Sequence, residues 1–282
     1  MDVLTTPAAM QDWSRAHRAE GRRVGVVPTM GALHHGHVAL VDAVRRCADV
    51  TVVTIFVNPL QFNLDADFDS YPRPIDDDLD RCRDAGVDAV YAPTAAAMYP
   101  PGFQTHVEPG DLAERLEGPM RPGHFRGVVT VVAKLLAATR ADVAAFGRKD
   151  FQQLAIIRRM VSDLDLDVEI LGVPIVREHD GLAMSSRNAR LTTPDRAAAV
   201  VVSQALGRAE RSFRAGERDA GALRSTAVDH LSAEPRASVE YVEVVDADTL
   251  DPVTRVATPA HIAAAAWFGD VRLIDNVLLD EQ

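Results

Sequence analysis

The chain has 282 residues, 47% hydrophobic and 25% charged, with a formal net charge of −11 at pH 7, which allows one large or two ordinary soluble domains. The negative charge excludes a broad basic surface for nucleic acid, so an anionic ligand needs a local positive pocket. Because the sequence has neither a signal-peptide pattern nor an apolar run of transmembrane length, we expect a cytoplasmic protein with no membrane partner.

The first part of the chain alternates strand and helix patterns at lengths that are typical of βαβ units. The predicted strands are Val24–Val27, Val50–Val57, Val87–Ala92, Val143–Phe146 and Val168–Val173. The predicted helices are Val38–Ala48, Ile75–Ala85, Val128–Thr139 and Phe151–Leu164. We expect an α/β fold with a Rossmann-like, doubly wound parallel sheet, in which ligands bind beyond the carboxyl ends of the strands.

The pattern changes after about Val176, where a polar segment is followed by helices and then by strands. The later predicted elements are a helix from Pro194 to about Phe213, a helix at Leu223–Leu231, and strands at Val239–Val245 and Val271–Ile274. We therefore expect a Rossmann-like domain over residues 1–175 and a smaller C-terminal α+β domain over 176–282. The Asp-rich stretch from Asp65 to Asp80 is interpreted as a solvated loop and helix start.

The segment Pro28–Leu40 carries a strand directly into a glycine-containing turn and a helix that starts with histidines. Such a turn directs backbone N–H groups and imidazoles to one spot, where a polyphosphate can sit. His34 and His37 are three positions apart and share a helix face, and Gly36 leaves room for a nucleotide. Two alternatives remain open: half of a metal site, although no further ligand follows at helical spacing, and histidines that only cap the helix.

Two more polar loops follow predicted strands. In the first, the amides of Asn58 and Gln61 can orient a small hydroxylated or carboxylated substrate, or they can belong to an ordinary turn. In the second, Lys149 suits a phosphate contact and Asp150 a ribose hydroxyl, with Gln153 one turn further on. The alternative for the second loop is a surface helix start with Asp150 as its cap.

Three further features of the sequence bear on function. The segment Met184–Arg187 offers two hydroxyls and a guanidinium, which suit either a polyphosphate clamp or a solvated loop. The turn Arg121–Gly127 has a fixed shape and no assigned chemistry. Lys134 and Lys149 are the only lysines, and Lys134 is interpreted as the solvated position of an amphipathic helix.

Five of these segments, in this order, resemble the pantothenate synthetase family of the His-x-Gly-His nucleotidylyltransferase superfamily. They are Pro28–His37, Phe56–Phe62, Leu116–Gly127, Phe146–Leu154 and Asp180–Asn188. The resemblance implies ATP-dependent condensation of (R)-pantoate with β-alanine to pantothenate through a pantoyl adenylate, with release of AMP and pyrophosphate. It also implies ATP as co-substrate, Mg²⁺ with unknown protein ligands, and a homodimer.

The resemblance also assigns roles to individual residues. The catalytic residues would be His37, as proton donor, together with His34, Lys149 and Arg187. The ATP-binding residues would be Met30, Gly31, Ala32, Leu33, His34, His35, Gly36, His37, Gly147, Arg148, Lys149, Asp150, Val176, Met184, Ser185, Ser186 and Arg187. Gln61 and Gln153 would hold pantoate, with Gln61 also near β-alanine, and we add Asn58 as a third substrate contact. The C-terminal domain would act as a lid that excludes water from the adenylate.

Two other functions compete with this interpretation. One is a different nucleotidylyltransferase or a fragment of a class I aminoacyl-tRNA synthetase, because Met184–Arg187 resembles the synthetase Lys-Met-Ser-Lys-Ser loop with Ala183 in place of the first lysine. The net charge of −11 argues against a tRNA partner. The other is a non-catalytic ATP-binding regulatory protein, which the presence of His34, His37, Lys149 and Arg187 disfavours.

Overall fold

A computed structural model describes residues 1–63, 68–257 and 259–281. Contacts between residues divide the chain into two units. The first unit comprises Met1–Arg148 with Gln152–Pro174, and the second comprises Lys149–Phe151 with Ile175–Gln282. The predicted fold class is confirmed, because the first unit contains a parallel sheet with helices and the second contains helices with a small antiparallel sheet.

The sheet of the first unit has six parallel strands, which are β1 (Asp2–Leu4), β2 (Val24–Thr29), β3 (Val50–Ile55), β4 (Ala89–Tyr91), β5 (Val143–Gly147) and β6 (Glu169–Val173). Their order is β1-β4-β3-β2-β5-β6. The chain moves outward from β2 through β3 to β4 and later resumes on the other side of β2 with β5. This reversal is a topological switch point, and in such sheets ligands bind at the carboxyl ends of the strands that flank it.

The central strands form where the sequence has continuous runs of β-branched residues, because both faces of a parallel strand are buried. Along β3, for example, Val50 to Thr54 are all buried. The edge strand β1 and the following helix Pro7–Ala19 were not predicted. A signal for the helix is present in the sequence, since Thr6 caps its N-terminus and Pro7 occupies its first position.

The helices of the first unit confirm the predicted alternation. They span Pro7–Ala19, His35–Arg45, Ile75–Asp84, Ala95–Met98, Glu117–Met120, His124–Thr139 and, from its second residue, Phe151–Asp163. Short 3-10 turns lie at Pro59–Gln61 and Asp111–Glu114, and a further one, Arg148–Asp150, has only its first residue in this unit. The helix His124–Thr139 begins four residues before the prediction at Val128, directly after Gly123, whose positive φ of 78° forms the turn. None of the helices in the described ranges is long and apolar enough to span a membrane.

Two interpretations of charged residues need correction. Asp78, in the Asp-rich stretch, is only 1% exposed, so the interpretation as solvated is wrong for this residue. Residues 64–67 of that stretch lie outside the described residues. Lys134 is half-buried, with its Nζ 5.1 Å from the Phe103 ring centroid and 5.9 Å from that of Tyr99. Its ammonium therefore lies over aromatic faces instead of on a solvated helix face.

In its described residues, the second unit packs three helices and an antiparallel sheet around its own core. The helices span Thr193–Ala198, Val201–Arg214 and Ala220–Ser232, and a 3-10 turn covers Ser186–Arg190. The sheet contains β7 (Ala237–Asp246), β8 (Ala260–Phe268) and β9 (Val271–Leu279), in that order. The predicted helix from Pro194 to Phe213 is thus two helices. The central strand β8 was not predicted, because its run of alanines has helical propensity whereas the packing of both strand faces buries it.

Candidate active site

The loop after β2 is held by hydrogen bonds to the neighbouring strand. The Thr29 hydroxyl donates to the carbonyl of Thr54 at 2.6 Å and accepts from the Gly31 N–H at 3.1 Å. Gly31 and Ala32 then have positive φ values of 80° and 50°. Positive φ is easy for glycine and costly for alanine, so surrounding contacts must fix this backbone.

Asp78 supplies those contacts from the first turn of the helix Ile75–Asp84. Its Oδ2 accepts from the Ala32 N–H at 2.8 Å, and its Oδ1 accepts from the Leu33 N–H at 2.7 Å. Burial raises the pKa of this carboxyl above 3.8, and the two backbone N–H groups act in the opposite direction. A buried carboxylate with both oxygens engaged therefore fixes the turn that precedes the histidines.

His34 and His37 cap the helix His35–Arg45 through a reciprocal pair of hydrogen bonds. Nδ1 of His34 accepts from the Gly36 N–H at 3.1 Å, and Nδ1 of His37 accepts from the His34 N–H at 3.2 Å. The ring centroids lie 4.1 Å apart. Because Nδ1 accepts in both rings, a neutral imidazole carries its hydrogen on Nε2, the atom suited to donate to a phosphate oxygen. Capping and phosphate binding thus use different nitrogens, and the two functions are compatible.

Asn58 and Gln61 form a second element of the site at the end of β3. Asn58 is fully buried, and its Nδ2 donates to Gln61 Oε1 at 3.0 Å and to the Gly127 carbonyl at 3.1 Å. Its Oδ1 accepts from the Tyr99 hydroxyl at 2.7 Å and from the Leu60 N–H at 3.3 Å. Asn58 therefore orients Gln61, and its role as a direct substrate contact stays a prediction.

Gln61 joins this element to the segment Met30–His37, which we call the histidine loop. With Oε1 accepting from Asn58, the amide nitrogen Nε2 points toward Met30, whose Sδ lies 3.1 Å away. The side chain is 8% exposed, so it is close to fully enclosed. The orientation of the amide is thus fixed, with its donor group directed to the loop after β2.

The turn Arg121–Gly127, whose chemistry the sequence left unassigned, supports the backbone of Gln61. The Gln61 carbonyl accepts from His124 Nδ1 at 2.8 Å, and Arg121 Nη1 faces His124 Nε2 at 3.1 Å. Gly127 allows the close packing, because a Cβ there would lie 2.2 Å from the Leu60 carbonyl oxygen. These contacts place the turn among the supports of the predicted substrate site.

Two adjacent glutamines at the start of the helix Phe151–Asp163 differ in their surroundings. Gln152 is 2% exposed, accepts from the Glu117 N–H, and donates to the Leu112 and Arg115 carbonyls. Gln153 is half-buried. The buried glutamine therefore fixes a loop of the first unit, while the assignment of Gln153 to pantoate stays a prediction.

In the second unit, Lys149 is anchored by its main chain to β9. Its carbonyl accepts from Asn276 Nδ2 at 2.9 Å, and Asn276 Oδ1 faces His261 Nδ1 at 3.2 Å. The His261 ring stacks on Phe151 with centroids 4.4 Å apart. Nζ of Lys149 lies 3.8 Å from Asp150 Oδ1, and the lysine side chain is 19% exposed. The strand β9 thus fixes the backbone from which the lysine side chain extends.

A hairpin brings Val176 beside Met184, two predicted ATP-binding residues that are distant in sequence. The Met184 N–H donates to the Val176 carbonyl at 2.9 Å, and Arg177 pairs with Ala183. Arg177 makes a bidentate ion pair with Asp275 of β9 at 2.6 and 3.0 Å. Asp275 is 4% exposed, so the hairpin is fixed to the sheet by a nearly buried carboxylate.

The turn that follows the hairpin carries the two serines and Arg187. Oγ of Ser185 accepts from the Arg187 N–H at 3.3 Å and caps the 3-10 turn. Asn188 donates to Glu178 and to the Ala183 carbonyl, and Arg196 bridges Glu178 and Asp180. The hydrogen bond from Arg196 lowers the pKa of Asp180 below 3.8. The segment Ser185–Arg187 is therefore a turn held by hydrogen bonds and neighbouring ion pairs, and it is not a solvated loop.

The predicted site residues thus fall into two groups. The first unit brings together Met30 to His37 with Asn58 and Gln61, and the second brings Val176 beside Met184 and carries Lys149 and Ser185 to Arg187 on elements fixed to β9. Arg148 donates to the Gly172 carbonyl of its own sheet at 3.1 Å. Sequence reasoning missed Asp78, Asp275 and Asn276, and assigned no role to His124. Within the described ranges, no group of three or more His, Cys, Asp or Glu residues could hold a metal ion.

Comparisons with known proteins match the chain over nearly its whole length. A family profile described as pantoate-beta-alanine ligase matches residues 2–278. A pantothenate synthetase from Heliobacterium modesticaldum is 50% identical over 280 residues, which cover 99% of this chain and 100% of that protein.

Solved structures give the same result. The crystal structure of pantothenate synthetase from Thermus thermophilus has a TM-score of 0.93 and 40% identity, covering 98% of this chain and 99% of its own. The pantoate-beta-alanine ligase from Francisella tularensis, solved in complex with beta-gamma ATP and beta-alanine, has a TM-score of 0.83 and 31% identity, covering 100% and 99%.

Proposed function

The chain belongs to the pantoate–β-alanine ligase family, and from that premise we propose that it forms pantothenate in two steps through a pantoyl adenylate. It is a ligase that joins pantoate to β-alanine with ATP. In the proposed first step, a carboxylate oxygen of pantoate bonds to the α-phosphorus while pyrophosphate leaves. In the second step, the amine of β-alanine bonds to the acyl carbon, loses a proton, and displaces AMP.

The first step brings two anions together, so its barrier is largely electrostatic. We assign the phosphate contacts to Nε2 of His34 and His37, because Nδ1 of each ring is used in capping the helix. Fixed donors are more effective than mobile ones, since they need no reorganisation when charge moves in the transition state. His37 is the proposed proton donor. The anchored Lys149 and the braced Ser185 to Arg187 are the proposed donors on the second unit.

Gln61 is the proposed holder of pantoate. Its Oε1 accepts from Asn58, so the side-chain amide cannot rotate without breaking this hydrogen bond, and His124 holds the Gln61 main-chain carbonyl. The Nε2 group is directed to the histidine loop and can donate to a carboxylate or hydroxyl oxygen. A substrate carboxylate held there would start its attack from a defined position, which reduces the entropic part of the barrier.

Mg²⁺ is proposed to arrive with ATP. The described residues provide no cluster of three ligands, and this donor set fits an ion held mainly by phosphate oxygens and water. When bound, Mg²⁺ neutralises phosphate charge. A homodimer, a cytoplasmic location and the lid role of the second unit also stay predictions. The lid role requires that ATP with pantoate protects the chain from proteolysis.

The observation that carries the proposal is the contact of Gln61 Nε2 with Met30 Sδ at 3.1 Å, which joins the substrate element to the histidine loop. The test is pyrophosphate exchange into ATP with and without pantoate, followed by AMP release on addition of β-alanine. We expect exchange only with pantoate. Exchange without pantoate would show that the adenylyl group is transferred to another acceptor, and ATP binding without exchange in the presence of pantoate would contradict the pantoyl adenylate.

A further inference from the structure

Asp78 is distinguished from its neighbours by burial. Asp76 and Asp77 precede it in the first turn of the helix Ile75–Asp84, and both are exposed. Asp78 is 1% exposed. Removing a carboxylate from water is costly unless it gains strong hydrogen-bond partners. The burial of Asp78 therefore has to be offset by the groups that it contacts.

The partners of Asp78 are two consecutive N–H groups of the histidine loop. These are the N–H groups of Ala32 and Leu33, at 2.8 and 2.7 Å, and they come directly before His34. A carboxylate is well suited to this task, because each oxygen accepts one N–H and the negative charge strengthens both hydrogen bonds. The asparagine side chain has the same shape but only one accepting oxygen.

Asp78 also limits the space around the turn. Gly31 has a φ of 80°, and a Cβ at this position would lie 2.8 Å from Asp78 Oδ2 and 3.0 Å from Ile55 Cγ2. The following residue, Ala32, has a φ of 50°, which an alanine adopts only when other contacts hold it there. The carboxylate and the positive-φ turn therefore fit each other and leave little freedom for either.

We propose that Asp78 is a positioning residue for ATP, which acts by holding the Gly31–Leu33 turn in the conformation that presents His34 and His37 to the phosphates. This inference rests on the proposed function of the histidine loop. Asp78 contacts the backbone of the loop and acts through it, and in this assignment it does not touch the reacting atoms. The free enzyme would therefore hold His34 and His37 in position before ATP binds, and little ordering would be needed on binding.

The first test compares Asp78→Asn with Asp76→Asn, which removes the same charge from the same helix turn at an exposed position. In the pyrophosphate exchange assay, we expect Asp78→Asn to raise KM for ATP about 10- to 100-fold, as for loss of one buried charged hydrogen bond. KM for β-alanine is measured by AMP release, because the amine reacts only in the second step, and it should change less than about twofold; Asp76→Asn should leave both constants within about twofold. A purely structural role would lower the melting temperature without separating the two KM values, and that outcome would overturn the proposal.

A double-mutant cycle with Gly31→Ala tests whether Asp78 acts through the turn. If it does, the effects of the two substitutions on KM for ATP are not additive, because both disturb the same backbone. Additive effects would contradict the proposal.

Hydrogen exchange on the unmodified enzyme covers the case in which Asp78→Asn does not fold. The Ala32 and Leu33 amides should be protected without nucleotide, and protection that appears only with ATP would also overturn the proposal. If the unmodified enzyme showed no pantoate-dependent pyrophosphate exchange, the proposed function itself would be refuted, whatever the effect of Asp78→Asn.

Discussion

Two regions of the molecule are fixed by contacts that differ in sequence separation. One is the histidine loop of the first unit, and the other comprises Lys149 and the segment Val176–Arg187 of the second unit. The histidine loop is held by Thr54 and Asp78, which are 25 and about 45 positions from their partners. In the second unit, Asp275 holds Arg177 across 98 positions and Asn276 holds Lys149 across 127 positions. One region is thus built by adjacent βα units, and the other depends on the last strand of the chain.

The difference bears on how each region tolerates change. A contact between adjacent βα units forms together with the sheet, whereas a contact to β9 requires the C-terminal unit to be folded first or at the same time. In β9, Asp275 and Asn276 are consecutive and so point to opposite faces of the strand. Two predicted ATP-binding segments therefore share one strand as their support, and damage to β9 should affect both.

We expect the largest effect from replacing Lys149, and this change tests whether the second unit takes part in catalysis. Lys149→Ala should cost about 2–4 kcal/mol of transition-state stabilisation, or about 30- to 1,000-fold in kcat/KM, if the lysine acts as a fixed charge donor. The measurement is steady-state kinetics with all three substrates, beside a thermal unfolding curve to show that the variant is folded. A Lys149→Ala variant with nearly normal kcat/KM would show that Lys149 is not needed for catalysis, and the histidine loop would then be the main source of transition-state stabilisation.

The next effect concerns the support of the second region. Asp275→Ala should lower the free energy of unfolding by about 2–3 kcal/mol, below the usual loss for breaking a buried ion pair, because the Arg177 side chain is 29% exposed. Urea denaturation measures this value. Hydrogen exchange should show lost protection in residues 176–184, with the histidine loop unchanged. Equal loss of amide protection in residues 176–184 and in the histidine loop would contradict the conclusion that the two regions have separate supports.

The positions of the site loops in the first unit could be predicted from the sequence, because buried strands have a recognisable pattern. Strands β2, β3 and β5 are continuous buried runs, so their pattern alone identifies the loops after them as site candidates. Asp78 could not be distinguished from Asp76, because only the folded chain decides which carboxylate meets the Ala32 and Leu33 N–H groups.

The partners across the second unit were also beyond sequence reasoning. Asp275 and Asn276 lie directly after the predicted strand Val271–Ile274, and the preceding strand β8 has a run of alanines with helical propensity. Without β8 there is no register for β9, and without that register Arg177 and Lys149 have no assigned partners. The identity of the site loops was predictable, whereas the side chains that position them depend on tertiary pairing.

A third prediction uses two carboxylates whose pKa values shift in opposite directions. The hydrogen bond from Arg196 lowers the pKa of Asp180 below 3.8, so its stabilisation is present above that value and is lost as the pH falls through the lowered pKa. Burial raises the pKa of Asp78 above 3.8, so its contribution is present below that value and declines as the pH rises through the raised pKa.

Unfolding free energies measured across acidic pH test these signs. The stability difference between the unmodified chain and Arg196→Gln should shrink as the pH falls, and the difference from Asp78→Asn should grow. Two curves with the same slope would contradict the assignment of opposite shifts to the two regions.

The smallest expected effect compares the two lysines. Nζ of Lys134 lies over the Phe103 and Tyr99 rings, and an arginine guanidinium can stack there as well. Lys134→Arg should therefore change the unfolding free energy by less than about 0.5 kcal/mol and leave kcat/KM within about twofold. The same change at Lys149 should reduce activity more, because a bulky planar group replaces a compact charge on an anchored backbone. Since the Tyr99 hydroxyl donates to Asn58, a raised KM for pantoate in Lys134→Arg would extend the substrate site to this lysine.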